Sequence, residues 1–339
     1  MKLEDFDYFL PDEAIAQVPL DDRSASRLLL LHRASGQFED RRFADVVDIL
    51  QPGDLLVVND TRVTALRLFG HKSTGGRCQL LLLKEIETGI FEALAKPGKR
   101  MQPGTVVTIG EGQSTLSAHI MENLLEGRKR VRFDSTGNLR EQLHTAGQVP
   151  LPPYVREAIA DPERYQTVYA QSGGSAAAPT AGLHFTPEIL QQLTAKGVKI
   201  AKVTLDVGLD TFRPITADNP LEHRIHGERC SLSESTRREI AASQGRIVAV
   251  GTTAVRTIES FATGPKAVES GTKETKLFIA PGYRFQIVDA MFTNFHMPRT
   301  TMLMMISAFA GQAGVRRAYA HALATGYRFL SFGDSMLIL

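Results

Sequence analysis

Apolar residues along this chain fall into short runs that end at polar residues, glycine or proline. Four consecutive leucines within Arg27–His32 predict a short buried strand. A second strand is predicted at residues 53–60, where an apolar run ends in Asn59 and Asp60. Further strands are predicted at residues 200–207, 246–250, 277–280, 286–290 and 327–339. Helices are predicted at residues 187–196, 233–243, 252–261, 299–310 and 315–325.

A different pattern fills the stretch between about residues 69 and 150. Short apolar runs alternate there with glycine-rich turns, which predicts a small antiparallel β module. The simplest organisation is a mixed α/β main domain made of residues 1–68 and 151–339, interrupted by an all-β domain at residues 69–150. Periodicity alone does not say whether either sheet closes on itself.

The composition is that of a globular protein with one large domain or two moderate ones. The chain has 339 residues, 43% of them hydrophobic, and a formal net charge of +2, which permits a nucleic-acid partner without requiring one. Cys78 and Cys230 lie far apart and match no zinc-ligand spacing, so neither a zinc site nor a disulfide framework is expected. Without a membrane-spanning run or a signal-peptide core, the sequence predicts a cytoplasmic protein.

The most informative segment is residues 178–188, Ala-Pro-Thr-Ala-Gly-Leu-His-Phe-Thr-Pro-Glu. In its second half Thr186 can cap a helix and Pro187 suits the first helical position. Its first half places Thr180, Gly182 and His184 in the turn that leads into this helix, where free N–H groups can bind an anion or a polar ligand. A capped helix with one incidental histidine is the alternative.

Asn59-Asp60-Thr61-Arg62 follows the second predicted strand. The ends of buried strands often carry function, because the sheet fixes them while the loop exposes them. Asn59 and Asp60 suit ribose hydroxyls or a purine edge, and Arg62 suits an anion. A simple ion pair between Asp60 and Arg62 is the structural alternative.

Residues 248–256 run from a predicted strand through Gly251-Thr252-Thr253 into a helix that contains Arg256. Such a turn presents N–H groups and hydroxyls to a carboxylate or phosphate. Neither a Walker lysine nor a Gly-x-Gly-x-x-Gly pattern is present, which argues against a triphosphate or dinucleotide site. An ordinary polar turn between strand and helix is the alternative.

Two further motifs carry histidines. The spacing in His223-x-x-His226-x-Glu228 differs from helical metal-binding patterns and no third ligand is obvious, so acid–base chemistry, nucleic-acid contact or a surface loop fits better than a metal. In residues 293–298, Thr-Asn-Phe-His-Met-Pro, Asn294 and His296 could read a base edge. Asp289 just upstream could pair with a cationic amine.

Basic residues cluster at residues 96–100 and 128–132, both within the predicted β module. Runs of this kind are usually solvated loops and strand edges. A small β-barrel with basic loops can also bind RNA phosphates.

Taken in order, these motifs closely resemble the S-adenosylmethionine:tRNA ribosyltransferase-isomerases of queuosine biosynthesis. The resemblance runs from residues 5–8 to residues 332–334 and so covers nearly the whole chain. It implies a closed-barrel-like α/β main domain with an inserted small all-β barrel. It also implies transfer of the ribosyl portion of S-adenosylmethionine to a tRNA that carries 7-aminomethyl-7-deazaguanine at the wobble position, giving epoxyqueuosine-tRNA, adenine and methionine.

The same resemblance implies a site without a cofactor or metal, since S-adenosylmethionine is a substrate and its sulfonium is already an electrophile. The candidates for acid–base work are His184, His226, His296 and Asp206. The candidates for substrate binding are Asn59, Asp60, Arg62, Thr180, Gly182, Arg213, Glu228, Thr252, Thr253, Arg256, Asp289 and Asn294. No membrane and no obligate protein partner is expected.

One stretch departs from the family pattern. The family commonly has Thr-Leu-His-Val-Gly-x-Gly-Thr-Phe, whereas residues 204–212 here read Thr-Leu-Asp-Val-Gly-Leu-Asp-Thr-Phe. Asp206 therefore replaces a histidine and Asp210 replaces a glycine. If that histidine takes part in the reaction, either Asp206 substitutes as a base or the reaction has changed. The alternatives are a relative acting on another nucleoside or donor, a tRNA-binding protein without catalysis, and a methyltransferase, although a glycine-rich donor loop is missing from the sequence.

Overall fold

The fold is seen in a computed structural model that describes residues 1–110, 115–135, 137–208, 215, 219–222, 225 and 227–339. The strands of these ranges are β1 (Arg27–His32), β2 (Gln37–Arg42), β3 (Leu55–Asn59), β4 (Thr61–Val63), β5 (Leu66–Lys72), β6 (Arg77–Glu87), β7 (Ile90–Lys96), β8 (Val106–Ile109), β9 (Leu116–Asn123), β10 (Arg128–Asp134), β11 (Ser172–Ser175), β12 (Lys199–Leu205), β13 (Glu228–Leu232), β14 (Ile247–Val250), β15 (Ala262–Gly264), β16 (Ala267–Val268), β17 (Gly271–Thr275), β18 (Ala290–Asn294) and β19 (Ser335–Ile338). The helices are α1 (Val46–Ile49), α2 (Leu139–Ala146), α3 (Pro187–Lys196), α4 (Glu234–Ala241), α5 (Gly251–Ser260), α6 (Thr301–Ala310) and α7 (Gln312–Ala324). None of the helices in these ranges is both long and apolar enough to cross a membrane.

Two compact units account for the described chain. The first comprises Met1–Thr61, Pro152–Ser172 and Ala178–Leu339, and the second comprises Arg62–Leu151 with Gly173–Ala177. The sequence placed the corresponding boundaries at residues 69 and 150.

The first unit is built on one mixed sheet of nine strands, in the order β17-β13-β12-β3-β14-β18-β19-β1-β2. The central strands β12, β3, β14 and β18 are parallel to one another. β19 is antiparallel to β18 and parallel to β1, while β13 is antiparallel to β12. The carboxyl ends of the four central strands therefore lie beside the amino ends of β13, β19 and β1. We call this side of the sheet, where the central strands end, its carboxyl edge.

Apolar sequence explains why the central strands occupy the middle of this sheet. Every residue of β3, β14 and β18 is buried, as expected for parallel strands covered on both faces. On one face Phe185 packs edge-on against Phe43 and Phe292, with ring centroids 4.9 and 5.5 Å away. The predicted leucine strand is confirmed as β1, where all four leucines are buried.

The two end strands of the sheet are exposed and charged. β2 reads Gln-Phe-Glu-Asp-Arg-Arg and β17 reads Gly-Thr-Lys-Glu-Thr, with most of their residues exposed. Charged side chains on an edge strand disfavour further pairing. Among the described residues the main sheet is therefore open, with β2 and β17 as its outermost strands, whereas the family resemblance implied a closed barrel. The mixed α/β class is confirmed.

Two short strands predicted at residues 277–280 and 286–290 are wrong. The structure has irregular chain there, and the strand of this region, β18, starts only at Ala290. At residues 286–288 the cause is Glu259 on α5, whose carboxylate accepts the backbone N–H groups of Gln286, Ile287 and Val288 at 3.0 Å each. The Glu259 side chain therefore accepts the N–H groups that a β-strand would donate to a neighbouring strand.

The second unit contains a closed barrel of six antiparallel strands, in the order β10-β7-β6-β5-β8-β9. Alternate residues of its strands fill the interior, among them Leu80 and Leu82 of β6 and Val131 and Phe133 of β10. Leu143 of α2 packs against the same cluster. The inserted small β-barrel is confirmed.

Candidate active site

Polar motifs gather at the edge of the main sheet where the central strands end. β3 ends at Asn59, β12 at Leu205, β14 at Val250 and β18 at Asn294. Ligands of α/β proteins commonly bind outside the carboxyl ends of parallel strands, because the loops there are fixed by the sheet and open to solvent. Motifs that are far apart in the sequence therefore meet at one place.

Helix α5 begins at this edge without a side-chain cap. Its N-cap residue is Val250, and Gly251 has a φ of 87°, a left-handed conformation that glycine adopts without strain. Thr252 and Thr253 follow in the first turn. The Oγ1 of Thr253 is buried and has no hydrogen-bond partner in the part of the chain that the structure describes. An uncapped helix N-terminus beside an unused hydroxyl suits a carboxylate or phosphate.

A pocket of about 590 Å³, counted to its open mouth, adjoins the start of α5. Five of the residues predicted from sequence line it, namely Thr180, Thr252, Thr253, Asn294 and His296. They come from three separate motifs, which the sheet edge brings together.

Asn294 connects this pocket to His184. Its Oδ1 accepts a hydrogen bond from the Thr180 hydroxyl at 2.9 Å, and its Nδ2 donates to the Leu330 carbonyl at 3.3 Å. This orientation of the amide directs Nδ2 toward Nε2 of His184, 3.3 Å away. Because Nε2 then accepts, the His184 proton lies on Nδ1 and is donated to Ser26 Oγ at 2.8 Å.

His184 lies behind the pocket and is not among the residues that line it. It is 5% exposed, and both its ring nitrogens are engaged. Burial, together with the positive charges of Arg23 and Arg328, lowers the pKa of His184 to about 3. A neutral imidazole with both nitrogens occupied is suited to holding Asn294 in place, whereas the sequence pointed to acid–base work.

His296, in contrast, lines the pocket itself. Its Nε2 is 2.6 Å from Thr293 Oγ1, and burial lowers its pKa to about 3. Its backbone is also fixed, because the N–H donates to the Tyr319 hydroxyl and the carbonyl accepts from the Tyr8 hydroxyl. A rigid, neutral imidazole in the pocket wall can exchange hydrogen bonds with a bound ligand.

The side chains of Asn59 and Asp60 are used to hold strand ends together. The Asn59 amide donates to the Leu205 carbonyl at 3.1 Å and accepts the Leu205 N–H at 3.0 Å, so it mimics a backbone partner. Asp60 Oδ1 accepts the Thr204 hydroxyl at 2.7 Å. Neither residue is among those lining the pocket, and the two side chains brace β3 against β12.

Asp206 follows β12 at the same edge of the sheet. Its Oδ1 accepts a hydrogen bond from the Thr61 hydroxyl at 3.2 Å, and its side chain is half-buried. The next residue, Val207, lines the pocket, whereas Asp206 is not among the lining residues. The carboxylate is therefore close in sequence to the pocket wall and partly open to solvent.

Glu228 and Arg256 form a buried ion pair under this edge. Their carboxylate and guanidinium are in contact, and both side chains are 9% exposed. The Arg256 guanidinium also donates to the Leu277 and Thr275 carbonyls, and Glu228 Oε1 accepts the Gly208 N–H at 2.9 Å. The pair therefore joins α5 to the segment that follows β12.

Asp289 and Gly182, two other residues predicted for the site, make contacts that belong to the fold and not to the pocket. Asp289 lies before β18, at the opposite edge of the sheet, where its carboxylate accepts the Ile247 N–H at 2.9 Å. Gly182 is required by packing, since a Cβ there would come within 2.1 Å of the Tyr169 hydroxyl. Neither lies among the residues lining the pocket.

The remaining predicted residues cannot be assigned to this pocket. Arg62 opens the second compact unit and is described with it. Arg213, His226 and Asp210 lie outside the described residues.

Sequence reasoning missed several polar residues of the pocket wall. Tyr154 and Ser331 line it, and their hydroxyls are 2.6 Å apart. It also missed Ser26, the partner of His184. Isolated serines and tyrosines outside a motif give no local signal, because only the folded chain places them near the site.

The described part of the chain contains no group of three or more His, Cys, Asp or Glu side chains placed to hold a metal ion. The free thiols of Cys78 and Cys230 are both buried.

Comparison with known proteins gives consistent matches over the full length. A family model described as "Queuosine biosynthesis protein" matches residues 3–338. The S-adenosylmethionine:tRNA ribosyltransferase-isomerase of Symbiobacterium thermophilum is 49% identical over 343 residues, which is 100% of both chains. The crystal structure of the S-adenosylmethionine tRNA ribosyltransferase from Thermotoga maritima is 37% identical, with a TM-score of 0.57, 99% of this chain covered and 100% of that chain.

Proposed function

This chain belongs to the queuosine biosynthesis protein family, and on that basis we propose that it transfers and isomerises the ribosyl moiety of S-adenosylmethionine onto tRNA. The acceptor is the amine of 7-aminomethyl-7-deazaguanine at the wobble position. The products are epoxyqueuosine-tRNA, adenine and methionine. The observation that carries the proposal is the convergence of three sequence motifs on one pocket at the carboxyl edge of the sheet. A tRNA substrate also favours a cytoplasmic location.

The reaction makes three demands on the protein. The sulfonium acidifies the neighbouring ribose C5′–H, so a base must take that proton. The adenine leaving group needs a hydrogen-bond donor or acid, and the accepting amine must be neutral to attack. The sulfonium already supplies the electrophile and the leaving group, so this chemistry does not call for a metal or another cofactor.

The start of α5 suits the methionyl carboxylate of S-adenosylmethionine. The first N–H groups of the helix have no side-chain cap, and the unused Thr253 hydroxyl lies beside them. The positive end of the helix dipole adds to the attraction for an anion. Thr180 and Thr252, in the same pocket wall, are assigned to other polar groups of this donor.

Among the described histidines, His296 lines the pocket wall, and we assign it to adenine, the base that leaves in the reaction. Its lowered pKa keeps the ring neutral, and because Nε2 already bonds Thr293 Oγ1, Nδ1 is the ring nitrogen left for a ligand. Asp206 is assigned as the candidate base at the position where the family commonly has histidine. His226 stays a prediction.

Incubation with S-adenosylmethionine and tRNA bearing 7-aminomethyl-7-deazaguanine should release adenine and methionine in equal amounts. Mass spectrometry of the small-molecule products and of the digested tRNA measures this result. Methylated tRNA with S-adenosylhomocysteine would instead identify a methyltransferase. Tight tRNA binding with no adenine release would identify a binding protein without catalysis.

Replacing Thr253 with valine should weaken S-adenosylmethionine binding by roughly tenfold or more, the usual value of a hydrogen bond to a charged group. The melting temperature should stay the same or rise, because the variant removes a buried hydroxyl that has no described partner. Calorimetric titration and thermal unfolding measure the two effects.

Thr257→Val is the matched control on the same helix. The Thr257 hydroxyl donates to the Thr253 carbonyl at 2.8 Å, and Thr257 is fully buried. This control should lower the stability of the protein and leave its affinity for S-adenosylmethionine nearly unchanged. Equal affinities for wild type and Thr253→Val would remove Thr253 from the donor site.

A further inference from the structure

We infer that one end of the small barrel is a docking surface for the phosphate backbone of RNA. This inference rests on the proposed action on tRNA, and the barrel strands determine which loops share that end. β5 is antiparallel to β6 and β8, β7 to β6 and β10, and β9 to β8 and β10. The turns β5–β6, β7–β8 and β9–β10 therefore lie together, at the end opposite to Arg67, where the chain pairs with Gln148 as it leaves the barrel.

We call this end the basic end, and define it by the side chains that these three turns contribute. Its basic residues, counting the strand residues that flank the turns, are Lys72, Arg77, Lys96, Lys99, Arg100 and Arg128. Glu126 is the carboxylate within the same turns. A chain with a net charge of only +2 thus concentrates positive charge on one end of a small domain. Local charge of this kind, rather than net charge, is what attracts a polyanion.

Ion pairing separates the two basic runs that the sequence pointed to. On β10, Arg128 pairs with Glu92 and Glu126, Arg130 with Glu122, and Arg132 with Asp134. These arginines are largely neutralised by carboxylates of the barrel wall. The run at residues 128–132 is therefore a poor phosphate site.

The turn after β7 is different. Lys96, Lys99 and Arg100 are all exposed, and no ion pair joins them to a carboxylate within the described ranges. Its backbone is anchored, because Gln102 Nε2 donates to the Lys99 carbonyl at 2.9 Å and Asn123 donates to Gln102. A fixed turn with three unneutralised cations can place them at successive phosphates.

Replacing Lys96, Lys99 and Arg100 together with glutamine tests the surface. Each lost phosphate contact lowers the slope of log affinity against log salt by about 0.7–0.9. Three contacts predict a slope smaller by about 2–3 and an affinity roughly 10²-fold weaker at about 0.1 M salt. Binding of an unmodified tRNA transcript, followed over a salt series, measures both quantities.

The control removes the same number of positive charges from the other end of the barrel, where Arg132 and Arg140 are ion-paired with Asp134 and Glu85. Lys84, Arg132 and Arg140 lie there and are exposed, Arg140 with 82% of its side chain accessible. Their triple glutamine variant should keep the wild-type slope. Equal losses in both triple variants, or a wild-type slope in the Lys96, Lys99 and Arg100 variant, would overturn the docking surface.

The outcome is separable from the proposed reaction. Adenine release by the wild-type protein, combined with an unchanged slope in the first triple variant, would refute the basic end alone. A reduced slope in that variant, without adenine release by the wild type, would support the basic end and refute the reaction. Circular dichroism should show that both triple variants fold, since the replaced side chains are exposed.

Discussion

Replacing Arg256 with leucine should lower the free energy of unfolding by about 3–5 kcal/mol, the usual cost of leaving one member of a buried ion pair alone. The Glu228 carboxylate would keep the Gly208 N–H but lose its guanidinium partner in a site with little water. The Leu277 and Thr275 carbonyls would lose their donors as well. Chemical denaturation at neutral pH measures the loss.

The double variant Glu228→Leu, Arg256→Leu should be more stable than Arg256→Leu alone, because no unpaired charge stays buried. Arg237→Leu is a surface control: its partner Glu234 is exposed on α4, so little change is expected. A single variant as stable as the wild type would show that water reaches the pair and that it does not brace α5.

The same pair also affects the pocket. α5 provides Gly251, Thr252 and Thr253 to the wall, and Val207 precedes the Gly208 N–H that Glu228 holds. Loosening the pair should therefore raise the KM for S-adenosylmethionine in the protein that remains folded. On this prediction Glu228 and Arg256 affect substrate binding by bracing the pocket wall, whereas the sequence grouped them with the residues that bind substrate directly.

Local pattern was enough to predict the elements that depend on their own sequence. The leucines of β1 and the Thr186, Pro187 and Gly197 signals of α3 all appear as expected; Thr186 accepts the Ile189 N–H, and Gly197 ends the helix with a φ of 94°. Prediction from local pattern fails where a distant side chain takes the place of a backbone hydrogen-bond partner. Glu259 does so for residues 286–288, which lie 27–29 positions further along the chain.

The candidate site shows the same division. The predicted residues that line the pocket could be picked out because each follows a recognisable strand or precedes a helix; they are Thr180, Thr252, Thr253, Asn294 and His296. Asp289 lies away from this pocket, since it is five residues from Asn294 but at the other end of β18, roughly 16 Å away at about 3.3 Å per residue. Asn59 has a partner 146 residues away, which no local pattern announces.

His184→Ala should lower turnover by about 10²-fold, the scale expected when a reacting group is misplaced by about 1 Å. The loss would act through Asn294, whose Nδ2 would lose its imidazole acceptor, and then through Thr180. His184→Gln supplies a carbonyl oxygen and an N–H in similar positions, so it should recover most of the activity. Single-turnover adenine release measures both variants.

A general base at this position would behave differently. Glutamine cannot take up a proton, so His184→Gln would be as inactive as His184→Ala and would remove one limb of the pH–rate profile. For a positioning residue the profile should keep its shape in His184→Gln, and kcat should fall in His184→Ala without that change. Near-wild-type rates in His184→Ala would show that the hydrogen bond between His184 and Asn294 does not matter to the reaction.

Acid stability gives an independent measure of the same histidine. Its pKa is lowered from 6.5 to about 3 in the folded protein, so the unfolded chain binds the proton more readily, and stability falls as the pH drops below about 6.5. At pH 5 the contribution lost is about 2 kcal/mol, from 1.5 pH units at about 1.4 kcal/mol each. His184→Gln should lose less stability than the wild type between about pH 7.5 and pH 5 by that amount, with His296 still contributing its own decrease. Parallel curves for the two proteins would mean that water reaches the imidazole, and the neutral hydrogen-bonded role assigned to His184 would fail.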